Sequence, residues 1–540
     1  MLEQKKLPQI LKSEGAVFCL FVILAAIVGW PILSNLNHVL IGYDNDVFIN
    51  PWANWWTQKA LLDPELTLWR TDFMFAPGSA NLVYHSFSHL NTAVALLLQP
   101  LVGVTPAFNL SILLNYPVIG FSMYQLARYL TRSQTAGILA GIAFAFSSHA
   151  MYQSAHPVLL SIWCLPWATL FLLRAIDEEN LWLAFAAGLF VFLGTFTSTL
   201  LFFLMIIWFG FLTIYLFVSS EWQTPQIKTL IVFAITAALL NLPQLWPLIA
   251  DALGNQNSSF VISAANERSI VPDILSPIVP HWWQWLWRGL YFGIIGICLM
   301  FYAVYSKGKI RLWVVTLTLF YLISIGPQPM IFGRDLDIIL PWSYLFTPIL
   351  RNMYRFNILI SMGVSMLIGF GWIGFMERTQ LHRQKSLMAI IFAVLLFADY
   401  GWPQIPFQSP QVSSFYTETL AEFDENTLLT LMPSSRQIDK TYMYYQTLHG
   451  HKMTNGVVSR PEADTFAFIA ENEMLANRQD GLAVDPPADI DAALDGLKNA
   501  GVNLLIFNKA FMEDDEIEAW KAGMPLKPFF EDDLIFVYEL

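Results

Sequence analysis

The sequence predicts an α-helical polytopic membrane protein that carries a small C-terminal α/β domain, and three observations predict it. Of the 540 residues, 56% are hydrophobic and only 13% are charged, whereas about a quarter of the residues in a soluble globular protein are charged. The mean hydropathy is +0.50, and the apolar residues form runs long enough to cross a bilayer. The acidic residues are concentrated near the C-terminus, where the sequence becomes mixed and rich in turns.

The two predicted domains meet at residues 402 and 403. From Pro403 onward the sequence contains 23 acidic and 9 basic residues, which gives a charge of −14, whereas the residues before it carry +2. This segment contains five short runs that alternate between strand-like and helix-like patterns, at 427–432, 489–500, 502–507, 514–522 and 534–538. The alternation predicts an α/β domain at 403–540 after a transmembrane domain at 1–402.

Apolar runs in the first domain predict about eleven transmembrane helices. They lie at roughly 16–36, 107–130, 133–150, 157–176, 181–198, 199–219, 228–250, 289–306, 310–326, 354–376 and 386–402. The run 89–103 is so short that its length does not decide whether it crosses the membrane or rests on the membrane surface. If it rests on the membrane surface, Arg128 and Arg132 lie on the cytoplasmic side, as the positive-inside rule favours.

The N-terminal region predicts how the protein is oriented in the cell membrane. Lys5, Lys6 and Lys12 precede the first apolar run, which ends without a small-residue cleavage signal. This pattern predicts an uncleaved signal anchor with a cytoplasmic N-terminus. Eleven spans, an odd number, then place the C-terminal domain on the extracytoplasmic side. The protein is thus predicted to be a multi-pass protein of the cell membrane.

The loop at 37–106, here called the first loop, contains the candidate active site. Asp44 and Asp46 directly follow the first span. A carboxylate that is partly removed from water has a raised pKa and can act as a general base. We favour Asp44 over Asp46 because it lies closer to the membrane. The alternative is that the Asp-Asn-Asp sequence forms a turn that caps the end of the span.

The first loop is also predicted to contain an amphipathic helix. Asn50 is a good N-cap and Pro51 suits the first helical position. Trp52, Trp55 and Trp56 fall on one side of this helix. Because tryptophan is enriched at membrane surfaces, the pattern predicts a helix that lies along the outer interface.

Three histidines are further candidates for the site. His85 and His89 are four residues apart, which on a helix places both rings on one face. They would suit a divalent metal with Asp44 or Asp46 as the third ligand, although histidines that pack or donate hydrogen bonds are more common. His156 is expected at the outer entrance of a span, where it could reach the same cavity. We therefore assign these histidines to substrate binding and assign no cofactor.

Basic residues on the outer side are candidates for binding a phosphate. Arg351 and Arg355 flank the sequence NMY just before a span, where a pair of guanidinium groups can hold a phosphate bidentately. The alternative is that they extend to lipid headgroups. Arg70 is a further cation of the first loop.

The order of these features resembles the GT-C membrane glycosyltransferases. The likeness rests on an aspartate after the first span, the loop helix, the surface segment HLNTAVALLLQPLVGV, and the runs LARYLTRS and AGILAGIAFAFSS. It covers residues 10 to 180 well and the segment RNMYRFN loosely. Protein O-mannosyltransferases, aminoarabinose transferases and many bacterial relatives have this architecture. The chain differs from the protein O-mannosyltransferases because it has Asp44-Asn45-Asp46 in place of their Asp-Glu pair.

The resemblance implies a glycosyltransferase of the cell envelope that acts in glycan biosynthesis. It would move a sugar from a polyprenyl-phosphate donor to an extracytoplasmic glycan, lipid or protein. Asp44 matches the family position that activates the acceptor, while Arg351 and Arg355 are the best-placed residues to hold the carrier phosphate. Membrane lipids are expected partners and nucleic acids are not.

Two other functions stay open from the sequence. A transporter or flippase of lipid-linked glycans would show polar residues at mid-bilayer or inverted repeats, whereas here the charges gather at one face. A non-catalytic glycan-assembly subunit that binds glycan through its C-terminal domain is the other alternative.

Overall fold

The protein consists of a bundle of apolar helices and a mixed β-sheet that is joined to the first loop. The computed structural model describes residues 13–219, 224–254, 270–280, 290–306, 308, 310–350, 352–379, 381, 384–401, 405–462, 464–476 and 486–540. Among these residues, six helices are long and apolar enough to cross a membrane: Val104–Thr131, Gln134–Ala155, Pro157–Asp177, Thr199–Ser219, Thr224–Asp251 and Met353–Thr379.

Shorter helices complete the bundle. The apolar ones are Glu14–Val28, His89–Val102, Leu181–Thr197, Ile294–Tyr305 and Arg311–Ser324, and Lys385–Gly401 follows them along the chain. A helix thus overlaps each of the eleven predicted spans, and the chain is a multi-pass membrane protein. The number of spans and the direction in which they cross stay predictions, because several of these helices are shorter than the roughly 20 residues that a bilayer requires.

The helices Ile294–Tyr302 and Asn357–Thr379 approach each other closely at Gly371. A Cβ atom at Gly371 would lie 2.0 Å from the carbonyl oxygen of Leu299. Because this neighbour is backbone, it cannot rotate away, and an alanine would force the helices apart. Small residues at helix contacts allow such close packing in membrane proteins.

Gly371→Ala is therefore expected to destabilise the bundle by about 1–3 kcal/mol, the usual range for overpacking. The measurement is the thermal unfolding midpoint of the purified protein in detergent. Gly210→Ala is the matched control, since no atom lies within 4 Å of a Cβ atom at that helical position. Equal midpoints for the two variants would contradict the packing argument.

The C-terminal segment, residues 405–540, contains a five-stranded mixed sheet. The strands of the described residues, in chain order, are β1 Leu40–Ile41, β2 Arg70–Thr71, β3 Ala80–Asn81, β4 Met330–Ile331, β5 Arg334–Asp335, β6 Phe407–Gln408, β7 Leu428–Met432, β8 Lys452–Met453, β9 Val502–Asn508, β10 Phe530–Glu531 and β11 Ile535–Glu539. The sheet order is β10-β11-β9-β7-β8, with β7 parallel to both of its neighbours. Every residue of β7 is buried, as is usual for a parallel strand covered on both faces.

The helices of the C-terminal segment connect and cover these strands. They are Ile438–His449, Ala467–Glu471, Glu473–Ala476, Ile490–Asn499 and Asp514–Gly523. We call Ile438–His449 the docking helix because it packs against the first loop.

Backbone hydrogen bonds join the first loop to β8, the last strand of the sheet. The amide of Met453 donates to the carbonyl of Phe73 (3.1 Å), and the amides of Phe75 and Ala76 donate to Asn455 and Met453 at 3.3 and 3.1 Å. An exposed strand edge would otherwise present unpaired backbone groups. The first loop and the C-terminal segment are thus joined by backbone hydrogen bonds, and this contact positions the candidate site.

Tryptophans of the first loop lie in this contact. Trp52 and Trp56, on the helix Ile49–Leu62, are fully buried, and Trp52 Nε1 donates to Gln446 Oε1 of the docking helix at 2.6 Å. Trp52 and Trp56 therefore do not face the membrane surface, whereas the position of their helix along the outer interface stays a prediction. Their rings pack against each other and against His85 and Phe73 of the first loop, and Trp52 also contacts the docking helix, which the spacing within one helix cannot reveal.

Candidate functional site

Contacts with the C-terminal segment hold the aspartate pair of the first loop. Strand β1 pairs with β6 of the C-terminal segment just before Gly42, whose amide donates to Pro406 at 2.8 Å. Asp44 caps the 3-10 helix Asn45–Phe48, since its side chain accepts from the amide of Asp46 at 3.1 Å. Asp44 therefore forms a cap through Oδ1, but it caps the 3-10 helix that follows it and not the end of the first span.

The loop helix begins one residue before the predicted cap. The helix Ile49–Leu62 follows directly from the 3-10 helix, so Asn50 is helical and does not cap it. The side-chain amide of Asn50 instead donates to the carbonyl of Ala155 at 3.0 Å. This hydrogen bond ties the first loop to the segment that carries His156.

Gly42 allows that segment to reach the aspartates. Its φ of +133° is accessible to glycine, and a Cβ atom there would lie 2.8 Å from the Cβ of Ala155. The ring of His156, the next residue, lies with Nε2 3.1 Å from Asp46 Oδ2 and 3.8 Å from Asp44 Oδ2. Because an ionised carboxylate only accepts, the Nε2–H group donates a hydrogen bond to Asp46.

A lysine of the docking helix completes the cluster. Lys440 is only 6% exposed, and its Nζ donates to Asp46 Oδ1 and, at 2.8 Å, to Gln437 Oε1. Both oxygens of Asp46 are thus engaged, one by His156 and one by Lys440. The sequence interpretation missed this residue. The available signal was a lysine inside an otherwise aromatic helix, IDKTYMYYQTLH, but no local pattern connects it to the first loop.

The two aspartates have opposite electrostatic settings. Burial raises the pKa of Asp44 above its ordinary value and the charge of Asp46 adds to the rise, although His156 opposes it. Burial would also raise the pKa of Asp46, but hydrogen bonds from His156 and Lys440 hold it well below its usual range. Two neighbouring carboxylates whose pKa values are driven apart are suited to different roles. Asp44 fits a proton acceptor and Asp46 a fixed anion.

The cluster of Asp44, Asp46 and His156 has the spacing of a possible metal site. Asp44, Asp46 and His156 each offer a ligand atom, all within 4.8 Å of one another, and no other such group occurs among the described residues. The cluster does not include His85 or His89, so the predicted metal set with those histidines is not formed. Two carboxylates and an imidazole fit a divalent ion chemically, but Lys440 already contacts Asp46.

His85 and His89 lie in aromatic surroundings. His89 is the first residue of the helix His89–Val102, and His85 precedes it, so the two do not share a helix face. The His89 ring lies between Phe87 (5.3 Å) and Phe196 (5.5 Å). The His85 ring contacts Trp52 at 5.7 Å, and neither of its nitrogens has a hydrogen-bond partner in the described part of the chain.

His85 gives a prediction about acid stability. Burial and then the charge of Arg436 lower the pKa of His85 to about 4. Below its ordinary pKa of about 6.5 the unfolded chain takes up a proton that the folded chain does not, so stability falls as pH falls from about 6.5 to 4. The loss is roughly 3 kcal/mol at most. His85→Phe should lose less thermal stability than the wild type between neutral pH and pH ~5. His38→Phe, at an exposed position, is the control and should behave like the wild type.

The predicted arginines have different surroundings. Arg70 is about half exposed and pairs with Glu462 at 3.4 Å, so it contributes to the contact with the C-terminal segment. Arg355 is partly buried and donates to the carbonyl of Leu350. Arg351 lies outside the described residues.

A row of tyrosines connects Asp44 with Arg355. The ring of Tyr152 lies 5.6 Å from that of Tyr43, which precedes Asp44. On its other side it lies 6.3 Å from the ring of Tyr354, which precedes Arg355. The residues that precede Asp44 and Arg355 in the chain therefore belong to one tyrosine cluster.

Comparison with known proteins identifies the fold. No protein-family model and no curated protein matches the chain. Solved structures do match it, and they are GT-C membrane glycosyltransferases, so the chain has the GT-C fold. The predicted fold class is confirmed at this level.

Three of these structures differ widely in length. Arabinofuranosyltransferase AftD from Mycobacteria aligns with a TM-score of 0.61 and 12% identity over 97% of this chain, which spans 39% of AftD. ArnT from Cupriavidus metallidurans, solved bound to undecaprenyl phosphate, aligns with a TM-score of 0.57 and 12% identity over 96% of this chain and 97% of ArnT. The oligosaccharyltransferase AglB from Archaeoglobus fulgidus was solved with an inhibitory peptide and a dolichol-phosphate. It aligns with a TM-score of 0.55 and 10% identity over 94% of this chain and 70% of AglB.

Proposed function

We propose that this protein is a glycosyltransferase that moves a sugar from a polyprenyl-phosphate donor to an extracytoplasmic acceptor. The observation that carries the proposal is the aspartate pair of the first loop, in which Asp44 has a raised pKa beside an anchored Asp46. The GT-C fold supports it, as does the lipid phosphate found with ArnT and AglB. Nucleotide sugars are absent outside the cytoplasm, so a lipid would deliver the activated sugar.

The site residues suggest a mechanism. An acceptor hydroxyl attacks the anomeric carbon of the sugar, and Asp44 takes its proton. The bond between that carbon and the phosphate oxygen breaks, and its electron pair leaves with the polyprenyl phosphate. Arg355, together with Arg351, stabilises the departing phosphate. Asp46 and His156 orient the acceptor side of the site, and the tyrosine cluster contacts the sugar.

The proposal includes an orientation in the cell membrane. The N-terminus lies in the cytoplasm, eleven helices cross the bilayer, and residues 403–540 form an extracytoplasmic domain. The first loop then lies on the same side as the acceptor. The backbone contacts between the first loop and the C-terminal segment support this arrangement, because both must then lie on one side of the bilayer.

Transfer can be tested directly in membranes. Membranes that contain the full chain are supplied with radiolabelled polyprenyl-phosphate sugars, and the label is followed from lipid to acceptor. Membranes without the chain are the control. Label that leaves the lipid only with the chain present supports the proposal. Label that changes leaflet while it stays attached to the lipid would show a flippase and contradict it.

A further inference from the structure

Lys440 is a buried cation supplied to the first loop by a segment almost four hundred residues away. It belongs to the docking helix, and its Nζ contacts Asp46 and Gln437. The side chain of Lys440 is 8% exposed and that of Asp46 is 40% exposed. A buried ammonium group requires a compensating anion, and Asp46 provides it.

The surrounding groups would otherwise suit a divalent cation. Asp44, Asp46 and His156 offer two oxygens and one nitrogen within 4.8 Å. Mg²⁺ and Mn²⁺ take carboxylate ligands, and imidazole also suits first-row divalent metals. Each oxygen of Asp46 already accepts from a donor, however, Oδ2 from His156 and Oδ1 from Lys440. A divalent ion at this cluster would lie next to the ammonium group and be repelled by it.

We propose that Lys440 takes the place of a divalent cation beside Asp46, so that the site neither binds nor needs a metal. Lys440 is a positioning residue, because it contacts Asp46 and not the reacting atoms. It keeps Asp46 ionised and fixed, which leaves Asp44 as the carboxylate that can accept a proton. The inference about catalysis rests on the proposed transfer function, whereas replacement of the metal by lysine can be measured without it.

The chain offers a matched comparison for Lys440. Lys452, also in the C-terminal segment, donates to Asp72 of the first loop. Both lysines thus join the same two parts of the chain through an aspartate. Asp72 is not part of the group with metal-ligand geometry, so Lys452 reports the effect of losing an ion pair without opening a metal site.

Manganese binding to the purified full-length protein is the first measurement. Electron paramagnetic resonance of added Mn²⁺ should show no bound ion in the wild type or in Lys452→Met. Lys440→Met and Lys440→Gln should bind Mn²⁺, and Asp46→Asn added to either should abolish the binding. Thermal unfolding confirms that each variant is folded. Mn²⁺ bound to the wild type and lost in Asp46→Asn would overturn the proposal, as would the absence of binding in both folded Lys440 variants.

Transfer in the presence of a chelator is the second measurement. Wild-type transfer should be unchanged by EDTA. Lys440→Met should lose at least about 10-fold in rate and regain part of it with Mn²⁺, whereas Lys452→Met should keep its rate. EDTA-sensitive transfer by the wild type would overturn the proposal. If no transfer occurs with any donor while Mn²⁺ binds only to the Lys440 variants, the proposed function fails and the replacement of metal by lysine stands.

Discussion

Asp44→Asn is expected to reduce sugar transfer by about 10²–10⁴-fold, the usual contribution of a positioned general base. Asparagine keeps the shape of the side chain, and its oxygen can still accept from the amide of Asp46, so the cap of the 3-10 helix remains. What is lost is the group that takes up the acceptor proton. The measurement is the initial rate of label transfer at saturating donor, together with the affinity for a polyprenyl phosphate, which should be unchanged.

Asp72→Asn is the control for this variant. It also removes a first-loop carboxylate, but one that pairs with Lys452 outside the cluster, and its rate should stay close to that of the wild type. The pH profile gives a second check. Since the pKa of Asp44 is raised, its basic form is lost as pH falls through a value above that of an ordinary aspartate, and wild-type transfer should decline there. Undiminished transfer by Asp44→Asn excludes the base role.

Trp52→Ala is expected to have the largest effect on stability, about 3–5 kcal/mol, as for other buried tryptophans. The Trp52 ring is fully buried and stacks on Trp56 with centroids 6.1 Å apart. Its indole also donates to Gln446, which in turn donates to the carbonyl of Phe73 at 2.6 Å. The variant therefore leaves a large cavity and removes the support of the docking helix. Thermal unfolding in detergent measures the loss, and the rate of transfer should fall as well.

Two variants separate packing from hydrogen bonding at Trp52. Trp52→Phe keeps an aromatic ring but leaves Gln446 Oε1 without its donor, at an expected cost of about 1–3 kcal/mol. Trp182→Ala removes a tryptophan that is 80% exposed and should change the unfolding midpoint little. If Trp52→Ala is no less stable than Trp182→Ala, the contact between the first loop and the docking helix does not hold these parts together.

Local patterns predicted the elements well. Apolar runs predicted a helix at each of eleven places, because burial in lipid requires a long apolar stretch. In the C-terminal segment the strand-like runs match β7, β9 and β11, and the helix-like runs match Ile490–Asn499 and Asp514–Gly523. An aspartate placed just after the first span was enough to identify Asp44 as a candidate.

Contacts between distant segments were not predictable in this way. Lys440 and Asp46 are 394 residues apart, and Trp52 and Gln446 are equally far apart. Periodicity indicates which face of a helix is apolar, but it does not indicate what covers that face. Membrane and protein both remove tryptophan from water, so the burial of Trp52 and Trp56 was assigned to the wrong partner. His85 and His89 were misplaced because the helix begins at His89.

The contact between the first loop and β8 determines when the site can form during synthesis. Asp46 must wait for Lys440, 394 residues later, and Met453, which donates to the carbonyl of Phe73, follows soon after it. At about 5–20 residues per second the ribosome needs on the order of 20–80 s to supply them. During that interval Asp46 lacks its ion pair with Lys440, and the first loop lacks its backbone hydrogen bonds to β8. A nascent chain therefore holds an unfinished candidate site until the docking helix and β8 emerge, and a protease or chaperone that acts on the growing chain would meet it in that state.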